Sequence, residues 1–278
     1  MNTRIVTAAA VILELLAAGL CAQEKDPNNS PCEKSCGQSQ NLPSARQDEG
    51  TDTVETILRN LNNKTSELKS YQGTIEYKLT QPLLESTALR KGVLYYAKFG
   101  TKSRMRINFQ TLRHDDEKEQ KYVEHFIFDG TWLTQIDYQI KAAKRYQLAE
   151  PNEPTDAFDL ASRNLPIVGF SKVEDLKKQF EIELIRQATH EPNNFIQLHL
   201  KVKPDSVHRD RYVSVDFWID RKLGLPARVL AVSTEEDIYE IKLVRPRINK
   251  PIDPAIFDFE IPKGFGEPEI VPLKKKGR

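Results

Sequence analysis

The chain has 278 residues, 41 basic against 40 acidic side chains, a formal net charge of +1 and a mean hydropathy of −0.55. The near balance of charge argues against a nucleic acid as partner, because such binders carry a basic excess on one face. All three cysteines lie before residue 37, which excludes a disulfide-stapled body and a cysteine-ligated metal site within it. Twelve Gly and 16 Pro are too few for a collagen-like or low-complexity chain.

Residues 1–22 have the order of a secretory signal, with Arg4 as the charged start and an apolar run from Ile5 to Leu20. Once it is removed, no apolar run is long enough to span a bilayer. Cys21 is either a lipidated first residue or part of the discarded segment; Leu20 before it is larger than the residue such sites favour. Residues 23–50 carry almost nothing apolar beyond Leu42, so they are expected to form a flexible polar linker. Cys32 and Cys36 within it suit a small local disulfide or two free thiols.

A single domain is expected over 51–270, followed by a basic tail at 271–278. Thr51 or Asp52 can cap an opening amphipathic helix in which Val54, Ile57, Leu58, Leu61 and Leu68 recur at helical spacing to about Lys69. The period then becomes two. Roughly ten antiparallel strands follow, within 71–81, 90–98, 102–110, 121–128, 131–139, 142–148, 181–188, 194–203, 211–220, 225–233 and 237–245. Asp129-Gly130 reads as a two-residue hairpin turn. One helical insertion interrupts the strands: Thr155 caps a helix ending at Pro166, and Ser171 to Glu174 has capping-box spacing for a second helix to about Phe180. A meander of this length with few helices predicts a mainly β fold (α+β class), a strongly curved antiparallel sheet with helices on its concave side.

The usual catalytic constellations are missing from the sequence: it has no GxSxG, HExxH, Walker or GxGxxG motif. Ser66 to Lys69 has SxxK spacing without the partners that chemistry needs. His199 falls on the polar side of its strand, and His208 and Asp210 fall in a charged turn, so a solvated surface is expected there in place of a metal site. No enzyme activity, cofactor or metal is expected. The aromatic residues spread over the strands either fill an ordinary core or line a cavity for one hydrophobic ligand, and the alternation accommodates both.

Five segments, in order, resemble the periplasmic outer-membrane lipoprotein carriers, the LolA-like superfamily. They are Tyr71 to Gln81, Arg104-Met-Arg-Ile107, Ile127-Phe-Asp-Gly-Thr-Trp-Leu133, Phe217-Trp-Ile-Asp220 with Gly224-Leu-Pro-Ala-Arg228, and Ile252 to Gly264. The resemblance spans about 52–266 and implies an incomplete barrel closed by a helical lid, with an apolar cavity for acyl chains. It implies an exported, periplasmic protein that binds and transports a lipid or an acylated lipoprotein. The alternative on the same fold is an envelope sensor or regulatory module with a protein partner. On this reading the inward, ligand-contacting residues are Ile75, Tyr77, Leu79, Val93, Tyr95, Met105, Ile107 and Phe109. Trp132 and the lid side chains Phe158, Leu160 and Leu165 are expected to close over them.

Overall fold

The computed structural model describes residues 53–100, 102–154, 156–157, 173–185 and 194–273. The expected signal and linker, with Cys32 and Cys36, lie outside the described residues, as do Phe158, Leu160 and Leu165 of the expected lid.

The opening helix, α1, runs Val54–Ser66. Its cap is Thr53, one residue later than the nearer expected position, because Thr53 Oγ1 accepts from Thr56 N at 3.2 Å. Ile57, Leu58 and Leu61 form its buried side. A short second helix, α2, covers Val173–Gln179 and contributes the buried Leu176.

Twelve strands make one open sheet among the described residues. In chain order they are β1 (Ser70–Gln81), β2 (Ser86–Phe99), β3 (Lys102–His114), β4 (Gln120–Phe128), β5 (Trp132–Asp137), β6 (Ala142–Gln147), β7 (Phe180–Ile185), β8 (Phe195–Val202), β9 (Tyr212–Asp220), β10 (Pro226–Ser233), β11 (Ile238–Ile248) and β12 (Glu269–Val271). Their order across the sheet is β12-β6-β5-β4-β3-β2-β1-β11-β10-β9-β8-β7. All neighbours pair antiparallel except β12, which runs parallel to β6 and makes the sheet mixed. That strand is too short to show an alternation in the sequence. The Asp129-Gly130 turn is a three-residue loop through Thr131; Asp129 Oδ1 accepts from Thr131 N and Trp132 N at 2.9 and 2.8 Å.

One face of the sheet packs under the helices. Ile75, Tyr77 and Leu79 of β1, Leu94 and Tyr96 of β2, Met105, Ile107 and Phe109 of β3, and Val215 and Phe217 of β9 join the α1 side chains in one cluster. The opposite face carries a smaller cluster of Ile127, Ile136 and Ala143, over which the C-terminal segment lays Phe259, Ile261 and Phe265. Arg106 fastens that strap: its Nη1 donates to Ile256 O at 2.7 Å and Asp258 O at 3.1 Å. Arg106 is therefore a structural contact and not merely the wet side of a strand. His208 likewise departs from expectation. It is buried, with its ring stacked 5.4 Å from Phe180, and burial followed by the nearby Arg211 lowers its pKa to about 4.

Candidate functional site

The register decides where the expected ligand-contacting residues lie. Ile75 pairs with Gly92, Tyr77 with Arg90, Leu94 with Ile107, and Tyr96 with Met105. Partners directly across a ladder share a face, so Ile75, Tyr77, Leu79, Met105, Ile107 and Phe109 stand together under the helices. Each is buried, with Tyr77 1% and Phe109 0% exposed. Val93 pairs with Thr74 and Asn108, and Tyr95 with Gln72 and Arg106, which puts both on the opposite face. Trp132 is a third correction: Leu133 next to it pairs into the helix-covered face with Tyr146, so Trp132 faces away, its ring under Arg145 Cζ at 5.0 Å.

The helix-covered face ends in a buried polar group that the sequence reading did not anticipate. Glu124 is 0% and Arg90 6% exposed, with Arg90 Nε 3.7 Å from Glu124 Oε2. Glu124 Oε1 accepts from Gln135 Nε2 at 2.9 Å, and Tyr122 Oη donates to Asp137 Oδ2 at 3.2 Å. Burial raises the Glu124 pKa more than Arg90 lowers it. Among the described residues no group of three His, Cys, Asp or Glu side chains is placed to hold a metal ion. No described helix is long and apolar enough to cross a membrane.

A cavity opens elsewhere, where β10 leaves β11. The two strands pair from Val232 with Ile238 to Arg228 with Lys242. Beyond that point β11 continues against β1 alone, to Ile248 opposite Tyr71. Ladder irregularities mark both sides of the parting, between Pro226 and Arg228 on β10 and opposite Gln72 to Thr74 on β11. Pro226 and Pro246 have no N–H to offer across the gap, so the parting there leaves fewer unpaired donors. Arg245 sits in the β11 irregularity with φ 54°, an uncommon left-handed backbone for a side-chain-bearing residue.

The resulting slot holds about 380 Å³, within the roughly 300–1,000 Å³ of small-ligand sites. Its apolar lining includes Phe195, Leu223, Leu225, Leu243 and Ile248. Tyr71 and Trp218 also line it, 4% and 7% exposed, and Tyr71 Oη and Trp218 Nε1 are buried without a hydrogen-bond partner. Burial pushes the Tyr71 hydroxyl pKa up, so it stays protonated and able to donate. The ends of β1 and β11 are clasped beside Tyr71: Asn249 Oδ1 accepts from Lys69 N at 2.8 Å and Ser70 Oγ donates to Lys250 O at 2.6 Å.

Arg228, Lys242 and Arg245 bring positive charge to the lining. Arg228 Cζ lies 4.1 Å from the centre of the Trp218 ring, a cation–π contact. Glu240 Oε1 accepts from Arg228 Nε at 2.6 Å and lies 3.3 Å from Lys242 Nζ. The Asp220 carboxylate caps the β9–β10 turn, accepting from Lys222 N and Leu223 N at 2.8 and 2.9 Å. Three cations therefore outnumber these two carboxylates. The slot draws Trp218, Asp220 and Leu225 to Arg228 from one of the segments that carried the resemblance. Arg245 and Lys242, in an ordinary alternating strand, gave no such signal.

No family model matches the chain, and no curated protein matches it in sequence. Solved structures resemble it at low identity and with TM-scores below 0.5. An uncharacterized conserved protein from Thermus thermophilus is 11% identical with a TM-score of 0.44, covering 79% of this chain and 98% of that one. A LolA superfamily protein from Nitrosomonas europaea is 12% identical with a TM-score of 0.32, covering 75% of this chain and 99% of that one. The MucA/MucB complex of Pseudomonas aeruginosa gives 14% identity and a TM-score of 0.41, covering 74% of this chain and 60% of the other.

Proposed function

We propose that this is an exported, non-catalytic binding protein that holds the apolar chain of a lipid or an acylated lipoprotein in the slot between β10 and β11. The observation that carries this reading is the slot itself, about 380 Å³ of space lined by leucines, an isoleucine and aromatic rings. Binding there draws on burial of apolar area at about 25 cal/mol per Å², against the cost of ordering the ligand. The residues under the helices are the packed core that supports the slot. Export rests on the charged start and apolar run of residues 1–22.

The test is titration with Nile red, a neutral apolar dye, of wild type and two folded variants. Ala227→Trp puts an indole into the slot lining and is expected to weaken binding by about tenfold or more, whereas Arg113→Gln, on β3, leaves it unchanged. Loss of dye binding in a folded Ile107→Ser variant, with Ala227→Trp still binding, would move the ligand to the helix-covered face and end the slot reading.

A further inference from the structure

We infer that the slot selects an amphipathic anion, a single medium-length apolar chain ending in a carboxylate or phosphate group. This rests on the slot being the binding site and goes beyond it in naming the head group.

Two buried donors supply the first reason. Trp218 Nε1–H can only donate, and the protonated Tyr71 hydroxyl has a donor to place; neither has a partner. A buried polar group left unpaired is destabilising, so a ligand that brings acceptor oxygens beside them gains what an all-carbon ligand cannot. Charge supplies the second. Arg228, Lys242 and Arg245 line the same space, with Asp220 and Glu240 opposing them. Hydrogen bonds from such cations to an ionised oxygen are stronger than those to a neutral one.

The third reason is where these groups stand on the sheet. Trp218, Arg228 and Lys242 are cross-strand partners in one row over β9, β10 and β11, on the face away from the helices. Tyr71, Leu243 and Ile248 belong to the helix-covered face. Because the strands part between the two sets, the slot connects them: a head group at the parting has Trp218 and the cationic row on one side and Tyr71 on the other, while its chain runs along Leu243 and Ile248. Arg245, held in a left-handed backbone, projects from the irregularity at that parting; strained residues of this kind cluster at ligand clamps. The modest volume suits one chain and not a diacyl lipid.

The experiment uses full-length protein carrying Trp132→Phe, which leaves Trp218 as the sole tryptophan reporter. Its emission is followed during titration with decanoate, decanol and decylammonium at neutral pH, with decyl phosphate as a second anion. Decanoate and decyl phosphate are expected to bind about tenfold tighter than decanol, with decylammonium weakest. Raising salt should weaken the anions and leave decanol alone. Lys242→Gln and Arg245→Gln should each reduce decanoate affinity several-fold with little effect on decanol. Tyr71→Phe, read by calorimetry, should reduce both. Equal affinity for decanoate and decanol overturns the anion preference while the binding reading stands. If none of the four amphiphiles binds the folded protein, both readings fail.

Discussion

Arg106 and His125 meet on the face away from the helices, with Arg106 Nη2 3.3 Å from His125 Nδ1. A guanidinium only donates, so this contact needs Nδ1 unprotonated. Burial, and after it the charge of Arg106, lowers the His125 pKa from 6.5 to about 4. The Tyr138 hydroxyl lies 3.3 Å from the same nitrogen, and the Tyr138 ring meets Phe265 of the C-terminal strap.

The unfolded chain therefore takes up a proton near pH 6.5, and the folded protein only near pH 4. Stability from this histidine is complete above the first value, declines as pH falls between the two, and is flat below. His208 adds a second such decline in the same window. Because His125 is only half-buried, its share is roughly 2 kcal/mol after discounting for solvent. His125→Gln should flatten part of the decline when urea midpoints are compared across this range. An unchanged slope would show that the ring titrates normally.

The Arg90–Glu124 pair predicts an asymmetry between single and double variants. Glu124→Gln keeps the side-chain shape but leaves Arg90 buried without its counter-charge, which costs about 3–5 kcal/mol. Arg90→Met combined with Glu124→Leu removes both charges from the interior and should come close to wild type. Equal losses in the single and double variants would show that Gln135 and Asp137, and not the ion pair, set the cost.

Gly92 and Gly100 should respond differently to alanine. A Cβ on Gly92 would meet Asn108 O at 2.1 Å, backbone of the neighbouring strand at the β2–β3 bulge. Gly92→Ala must push the ladder apart, with a loss above about 3 kcal/mol. Gly100 has nothing within 4 Å but sits at φ +64°, so Gly100→Ala costs about 1 kcal/mol through the backbone alone. Thermal melts of the two variants separate clash from dihedral strain.

Strand existence was legible wherever one face is apolar and the other wet. Met105, Ile107 and Phe109 alternate with arginines and asparagine, and their parity is correct. Parity failed at Val93 to Ala97, an unbroken apolar run in which either half could face inward; only the pairing of Tyr96 with Tyr71 and Met105 settles it. Trp132 was misplaced because it was assigned to the cavity without a register; the pairing of Leu133 with Phe128 and Tyr146 turns Trp132 to the other face. The slot left a weaker trace. It depends on two strands separating, and separation is a relation between Pro226, Arg245 and Pro246 that no single segment displays.

The central position of β1 has a consequence for how the chain folds. β1 through β6 form one run of sequence neighbours and β7 through β11 another, and in the sheet of the described residues the two runs join where Ile75 meets Leu243 and its flanking pairs. That seam brings together residues separated by more than half the chain, so its closure carries a large loop entropy and makes folding slow for a protein of this size. Until β11 is available, β1 presents a long bare edge with Tyr77 and Leu79 uncovered on one side. Incomplete chains should therefore associate through that edge, and anything that holds it apart during synthesis or transit protects the yield of folded protein.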